Sequence, residues 1–448
     1  MRLRHVLPLL LVAACGEVIT VDSDAAVDAP DQTDAAVEVD GPIDGPEEPT
    51  GPIRVTVLAA GVPVAGASVV ASDGGGTRSV VTGADGKATI EGRAGASVTA
   101  IIRVGKVASI TTIAGAKPGD DLLFGDRRVP PTSPGAMTVK FKAFPGPGTV
   151  STYRVDNSCR TRTTLSTVFE ASLDYLGCDI SSATVHIAAL DSTGVLLGST
   201  SRFASFTAGG IIDATTATWK PALPLSARFT QVPFQASSLV LRRWVGPPAR
   251  QFQLATVRVD QPNATQVASL KYPDVAGQTT MVTVLTGETR QTQVFGEVLP
   301  AAATYEMSFE NLPLPWISTL AANAATRTVS WTETTGAAPD GGIATLTYDI
   351  GDNDVTWKVI GPAGTVSATQ VDLPAEHDAI ELGAAAAAKT LVVRRFDFPE
   401  KDGYDTFRTT AEPDDLELGN FDLNGDLGKR TKLRMSEATA RFSTPSPK

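Results

Sequence analysis

From Ile53 onward the chain alternates apolar and polar positions in short runs, each closed by residues that favour turns. The first such stretch reads "IRVTVLAAGVPVAGASVVASDGGGTRSVVTGADGKATIEG". A period of two over about four to eight residues is that of a strand with one buried face. Asp73-Gly74-Gly75-Gly76 and Asp85-Gly86 tolerate the positive φ of tight hairpins, and further strands are expected at Ser97 to Val104 and Val107 to Ile113. The pattern continues through "VHIAALDSTGVLLGS", with Ser192-Thr193-Gly194 at its turn, and through "SLVLRRWVG", "LATVRVD", "TMVTVLTG" and "IATLTYDIGDNDVTWKVIGPAG". No long run carries a helical period. The expectation is an all-β chain of tandem antiparallel β-sandwich domains over residues 53–130, 137–224, 225–325 and 327–448. "SLVLRRWVGPP" and "TLVVRRFDFPE" look alike, which suggests that the third and fourth domains are related, or else a chance likeness of two strands.

The first 52 residues follow other rules. Arg2 and Arg4 precede Val6 to Ala14, an uncharged stretch broken only by Pro8. Nine helical residues rise about 14 Å, against a bilayer core of roughly 30 Å. A basic start, a short apolar run and small residues at its end read as a signal peptide over residues 1–14. From Glu17 to Pro52 come eleven of the chain's 49 acidic residues, no Lys or Arg and no aromatic residue. Such a segment buries too little to offset its ordering entropy, so residues 15–52 are expected to be a disordered acidic tether. As a flexible coil it would span roughly 30 to 36 Å. Most of the formal net charge of −11 therefore sits in the tether. With no basic patch or nucleic-acid motif, no nucleic-acid partner is expected.

Cys15 ends the apolar run in "VAAC", which resembles the lipobox of bacterial lipoproteins. The resemblance implies cleavage after Ala14, lipidation of Cys15 and a membrane partner through that lipid, with Gly16 pointing to the outer membrane. An ordinary secretory signal with a chance cysteine is the alternative. Cys159 and Cys178 are the other two cysteines; in an exported protein a disulfide between them is the default, closing a loop worth roughly 3 kcal/mol. "GVPVAGASV" (Gly61 to Val69) with "TGADG" (Thr82 to Gly86) resembles the carboxypeptidase regulatory-like family. That implies a transthyretin-like seven-stranded sandwich with an accessory role and no catalytic residues. Trp331 and Tyr348, on neighbouring strands, resemble a fibronectin type III or Ig-like sandwich.

Candidate chemistry is sparse, and no catalytic residue and no cofactor are expected. His186 lies in a strand-like run, and His377 sits beside Glu376, Asp378 and Glu381 without a zinc-binding spacing. GxSxG is absent. Asp349, Asp352 and Asp354, in "YDIGDNDV", come nearest to a metal site, while Asp422, Asn424 and Asp426 start like an EF-hand that Leu427 and Leu433 then break. Trp219, Trp244, Trp316, Trp331 and Trp357 are either sandwich-core residues or platforms for sugar rings. The function these observations imply is a lipid-anchored cell-envelope protein, non-catalytic, with a binding, adhesion or scaffolding role and a protein or polysaccharide ligand. The alternatives are a hydrolase of envelope polymers with an unrecognised site, or a carbohydrate-binding accessory subunit of an envelope complex.

Overall fold

In the first strand Ile53, Val55 and Val57 are buried, while Arg54 between them is exposed. That is the period-two alternation of the sequence expressed as an inner and an outer face. The same logic runs through the computed structural model, which describes residues 50–125, 135–156, 161–174, 182–205, 209–233, 236–245, 252–273, 278–286, 291–298, 304–398, 403–410 and 432–442. Cys15, Cys159, Cys178, Asp422, Asn424 and Asp426 lie outside the described residues. No helix among those residues is long and apolar enough to cross a membrane.

The strands fall into four sets. The first holds β1 (Gly51–Ala59), β2 (Val62–Pro63), β3 (Ser68–Asp73), β4 (Gly76–Val81), β5 (Lys87–Gly92), β6 (Ala96–Val104), β7 (Val107–Ala116) and β8 (Asp121–Phe124). The second holds β9 (Ala136–Lys140), β10 (Thr152–Asp156), β11 (Thr161–Leu165), β12 (Glu170–Asp174), β13 (Ser182–Leu190), β14 (Leu196–Ser205) and β15 (Ile211–Asp213). The third holds β16 (Lys220–Thr230), β17 (Ala236–Val245), β18 (Phe252–Asp260), β19 (Thr265–Pro273), β20 (Gln278–Thr286), β21 (Gln291–Val298) and β22 (Thr304–Ser308). The fourth holds β23 (Ile317–Asn323), β24 (Thr328–Glu333), β25 (Gly341–Ile350), β26 (Asn353–Pro362), β27 (Ser367–Thr369), β28 (Ala387–Asp397) and β29 (Lys432–Arg441), with one short helix, α1 (Tyr404–Thr410).

One topology underlies all four sets. If the two-residue β2 is set aside, the first strand of each of the first three sets lies between the fourth, antiparallel to it, and the seventh, parallel to it: β5-β1-β8, β12-β9-β15 and β19-β16-β22. The opposing sheet runs third, second, fifth, sixth: β4-β3-β6-β7, β11-β10-β13-β14 and β18-β17-β20-β21. The fourth set repeats the second sheet as β26-β25-β28-β29 and the first as β27-β24-β23, with β23, which precedes β24, occupying the place of a seventh strand. The chain is thus an all-β assembly of antiparallel sandwiches. The look-alike segments around Leu239 and Leu391 are not equivalent, because β17 is a second strand of its sandwich and β28 a fifth.

The sandwiches are not beads in sequence order. β21 pairs with β29, and β26 pairs in parallel with β7 from Asp354↔Val107 to Ile360↔Ile113, so three of the second sheets fuse into one sheet of twelve strands. The second sandwich joins the third through β14 and β16. Side by side the order is second, third, fourth, first, which brings the start of the folded chain against its end. β16 also crosses the boundary expected between residues 224 and 225. Pro224 lies within this strand, opposite Lys271 of β19 and just before the Ser226–Thr230 stretch that pairs with β22.

Side chains close the seam between the first and last sandwiches. Ile53, Val98 and Phe124 share a core with Ile343, Ile360, Phe396, Phe398 and Phe407, and the rings of Phe396, Phe398 and Phe407 stack with centroids 5.5 to 6.0 Å apart. The Tyr404 hydroxyl donates to the carbonyl of Ala114 at 2.7 Å, and the buried Arg408 guanidinium meets the Asp120 carboxylate at 2.8 Å. Within the twelve-strand sheet, Trp357 Nε1 donates to Thr112 Oγ1 at 3.3 Å.

Candidate ligand-binding cleft

The acidic turn between β25 and β26 is neutralised by lysines. Lys389 Nζ stands 2.5 Å from Asp349 and 2.8 Å from Asp354, and Lys106 meets Asp352 at 2.8 Å. The hydrogen bond from Lys389 holds the Asp354 carboxyl below the usual carboxylate range. Three carboxylates already shared among two ammonium groups do not form a preformed cation cage, and among the described residues no group of His, Cys, Asp and Glu is placed to hold a metal ion.

The sequence cluster around His377 is taken apart by the fold. Residues Ala375–Ile380 form a 3-10 turn. Glu381 turns away to Arg327 at 2.6 Å and accepts the N–H of Leu373, while Glu376 and Asp378 are exposed. His377 Nε2 instead lies 2.8 Å from Ser68 Oγ. A serine beside a histidine has the outline of a nucleophile and base, but Ser68 is buried and Nδ1 of the histidine is buried with no hydrogen-bond partner among the described residues. A group that would orient the imidazole for proton transfer is therefore not in place. His186, on β13, is buried opposite Asp156 of β10, and desolvation drives its pKa down to about 3. Of the tryptophans, Trp316, Trp331 and Trp357 are buried and Trp219 packs against the core of the second sandwich; the side chain of Trp244 lies outside the described set.

A cleft of about 680 Å³ lies between the second and third sandwiches. One wall is the β13–β14 turn. Asp191 builds it by accepting from the Thr193 N–H at 2.8 Å, the Thr193 hydroxyl at 2.7 Å and the Val195 N–H at 2.9 Å, with Gly194 at φ 81°. These bonds, the hydroxyl first, lower the Asp191 pKa. The turn thereby presents Thr193 and Val195 to the cleft, with Leu190 and Leu196 behind them. The other wall comes from β16, β18 and β19, which contribute Leu225, Val257 and Leu270 and the hydroxyls of Ser226, Thr256 and Ser269. Two cations, Arg154 and Lys271, line the cleft, and none of its described lining residues is acidic, aromatic, histidine or cysteine.

Sequence reasoning placed the Ser192-Thr193-Gly194 turn but missed the cleft. Its walls are some 30 to 80 residues apart along the chain, and only the contact between two sandwiches brings them together.

No protein-family model matches the chain, and no curated protein matches it. Among solved structures it is similar to the Bacillus anthracis TIE protein, at 13% identity over 58% of this chain and 50% of that one, with a TM-score of 0.15. The chain thus spans half the length of that protein. It is also similar to a DUF3823-family protein of Bacteroides ovatus, at 9% identity over 34% of this chain and 91% of that one, TM-score 0.12. A further likeness is to a calcium-stabilised adhesin with which an Antarctic bacterium binds ice, at 12% identity over 78% of this chain and 94% of that one, TM-score 0.12.

Proposed function

We propose that the chain is a non-catalytic binding protein of the bacterial cell envelope. A lipid on Cys15 anchors it, the acidic segment before β1 spaces it from the membrane, and the fused sandwiches present the cleft between the second and third of them to a ligand. The observation that supports this reading is the make-up of the cleft: among the described residues its lining offers apolar side chains, four hydroxyls and two cations, a set suited to holding a ligand.

Two measurements test the reading. Replacing Cys15 with Ser should move the protein from the membrane to the soluble fraction and abolish incorporation of labelled fatty acid. Purified protein should leave a panel of peptides, esters and glycans intact; turnover that survives repurification would remove the non-catalytic reading, and membrane retention of the Cys15→Ser variant would remove the anchor.

A further inference from the structure

Two edge strands of the described set meet at the cleft. Among the described residues β18 pairs only with β17, as the last strand of the twelve-strand sheet, and β19 pairs only with β16. Both strands line the cleft, β18 through Thr256 and Val257 and β19 through Ser269, Leu270 and Lys271. An edge strand presents unpaired N–H and C=O groups along one side and so serves as a template for another strand.

The side chains narrow the identity of the added strand. Of the two cations that line the cleft, Arg154 is ion-paired with Asp156, so the positive charge offered to a ligand is that of Lys271. Asp156 is buried, accepts the Thr161 hydroxyl at 2.7 Å and lies 3.5 Å from Arg154 Nε. Asp191, which feels the charge of Lys271, is committed to its own turn. Farther along β18, Arg258 is paired with Asp260 at 2.6 Å. Leu190, Val195 and Val257 give apolar contact in the cleft, and none of its described lining residues carries an aromatic ring on which a sugar could stack.

We propose that the cleft takes an extended segment of a partner polypeptide in which apolar residues alternate with acidic ones, and that this segment adds as a strand along β18. Its main chain pairs with the β18 edge, one face of its side chains meets the apolar wall, and a carboxylate on it reaches Lys271. This inference rests on the cleft being the binding site proposed above.

The test uses the full chain and fluorescein-labelled, end-blocked peptides of alternating valine and glutamate, eight residues long. Saturable binding is expected for this peptide and not for its valine-lysine counterpart. Lys271→Glu should weaken binding at least about tenfold, the scale of one charged contact. A peptide N-methylated at every residue should fail to bind, because whichever of its edges faces β18 then carries no N–H donor. Ser226→Trp, at an exposed cleft position, should abolish binding while leaving the thermal midpoint unchanged. Equal binding of the two charge types, or full binding of the methylated peptide, overturns the proposal. Binding of dodecanoate that Ser226→Trp blocks, with no peptide binding, would overturn the peptide and keep the cleft as a site. If Ser226→Trp alters the binding of no probe, both the proposal and the cleft reading fall.

Discussion

His377 Nε2 lies 2.8 Å from Ser68 Oγ across 309 residues of sequence, so a 3-10 turn of the last sandwich is hydrogen-bonded to β3 of the first. Burial lowers the pKa of this imidazole from its ordinary value of 6.5; the nearby Glu376 carboxylate opposes that shift, and the Arg103 guanidinium adds to it. A base with a lowered folded pKa binds fewer protons in the folded state. Stability is then fully present above pH 6.5 and is lost as the pH falls from 6.5 toward the lower folded value. Replacing His377 with Gln keeps a side-chain amide within reach of Ser68 and removes the titration. Urea midpoints measured from pH 8 to pH 5 should fall less steeply for the variant below pH 6.5, and parallel curves would show that the imidazole is not buried as described.

His186 makes the same argument with a larger stake. It is 7% exposed, its pKa is pushed down to about 3, and desolvation is the cause. The unfolded chain takes up this proton near pH 6.5 and the folded one only near pH 3, so the second sandwich loses stability throughout that interval. The full difference is on the order of 4 to 5 kcal/mol at its acid end. A charged imidazole on β13 should first loosen the pairing with β10, where Asp156 stands opposite His186. Hydrogen exchange at pH 4 should therefore rise in β10 and β13 before it rises in the twelve-strand sheet. Uniform exchange across the sandwiches would place the acid sensitivity elsewhere.

The all-β class and many of the strands were legible in the sequence, because period two and Asp-Gly turns are local signals. β3 to β7 and the β13–β14 hairpin follow from residues within a few positions of one another. The joining of β7 to β26 was not legible: Val107 and Asp354 carry no local mark of being partners, and the parallel register depends on a seam closed by Phe396, Phe398 and Phe407. The same cause hid the fates of the candidate sites. Lys389, which neutralises Asp349 and Asp354, is remote from them in sequence, as Ser68 is from His377. The cleft depends on strands of two sandwiches and has no motif at all.

The fourth sandwich is also held by a buried charge. Arg395 of β28 is 1% exposed, its Nε donates to Glu333 of β24 at 2.7 Å, and its guanidinium lies over the Trp331 ring at 5.4 Å. Trp331 Nε1 donates to the same carboxylate at 2.6 Å, and the Pro362 and Thr365 carbonyls accept from Nη1 and Nη2 of the guanidinium. Removing one partner of such a pair leaves the other charge desolvated, at a cost of about 3 to 5 kcal/mol, whereas replacing both with apolar groups is often close to neutral. Arg395→Met should therefore lower the unfolding free energy by roughly that amount, and adding Glu333→Leu should recover much of it despite the lost Trp331 bond. Gly342 guards the same site, because a Cβ there would stand 2.5 Å from Arg395 Nη1 and 2.6 Å from the Arg394 carbonyl oxygen. Gly342→Ala should thus destabilise a strand position where alanine would otherwise be harmless. A denaturant double-mutant cycle over Arg395 and Glu333 decides the point: additive losses would mean that the ion pair contributes nothing beyond the packing of its two side chains.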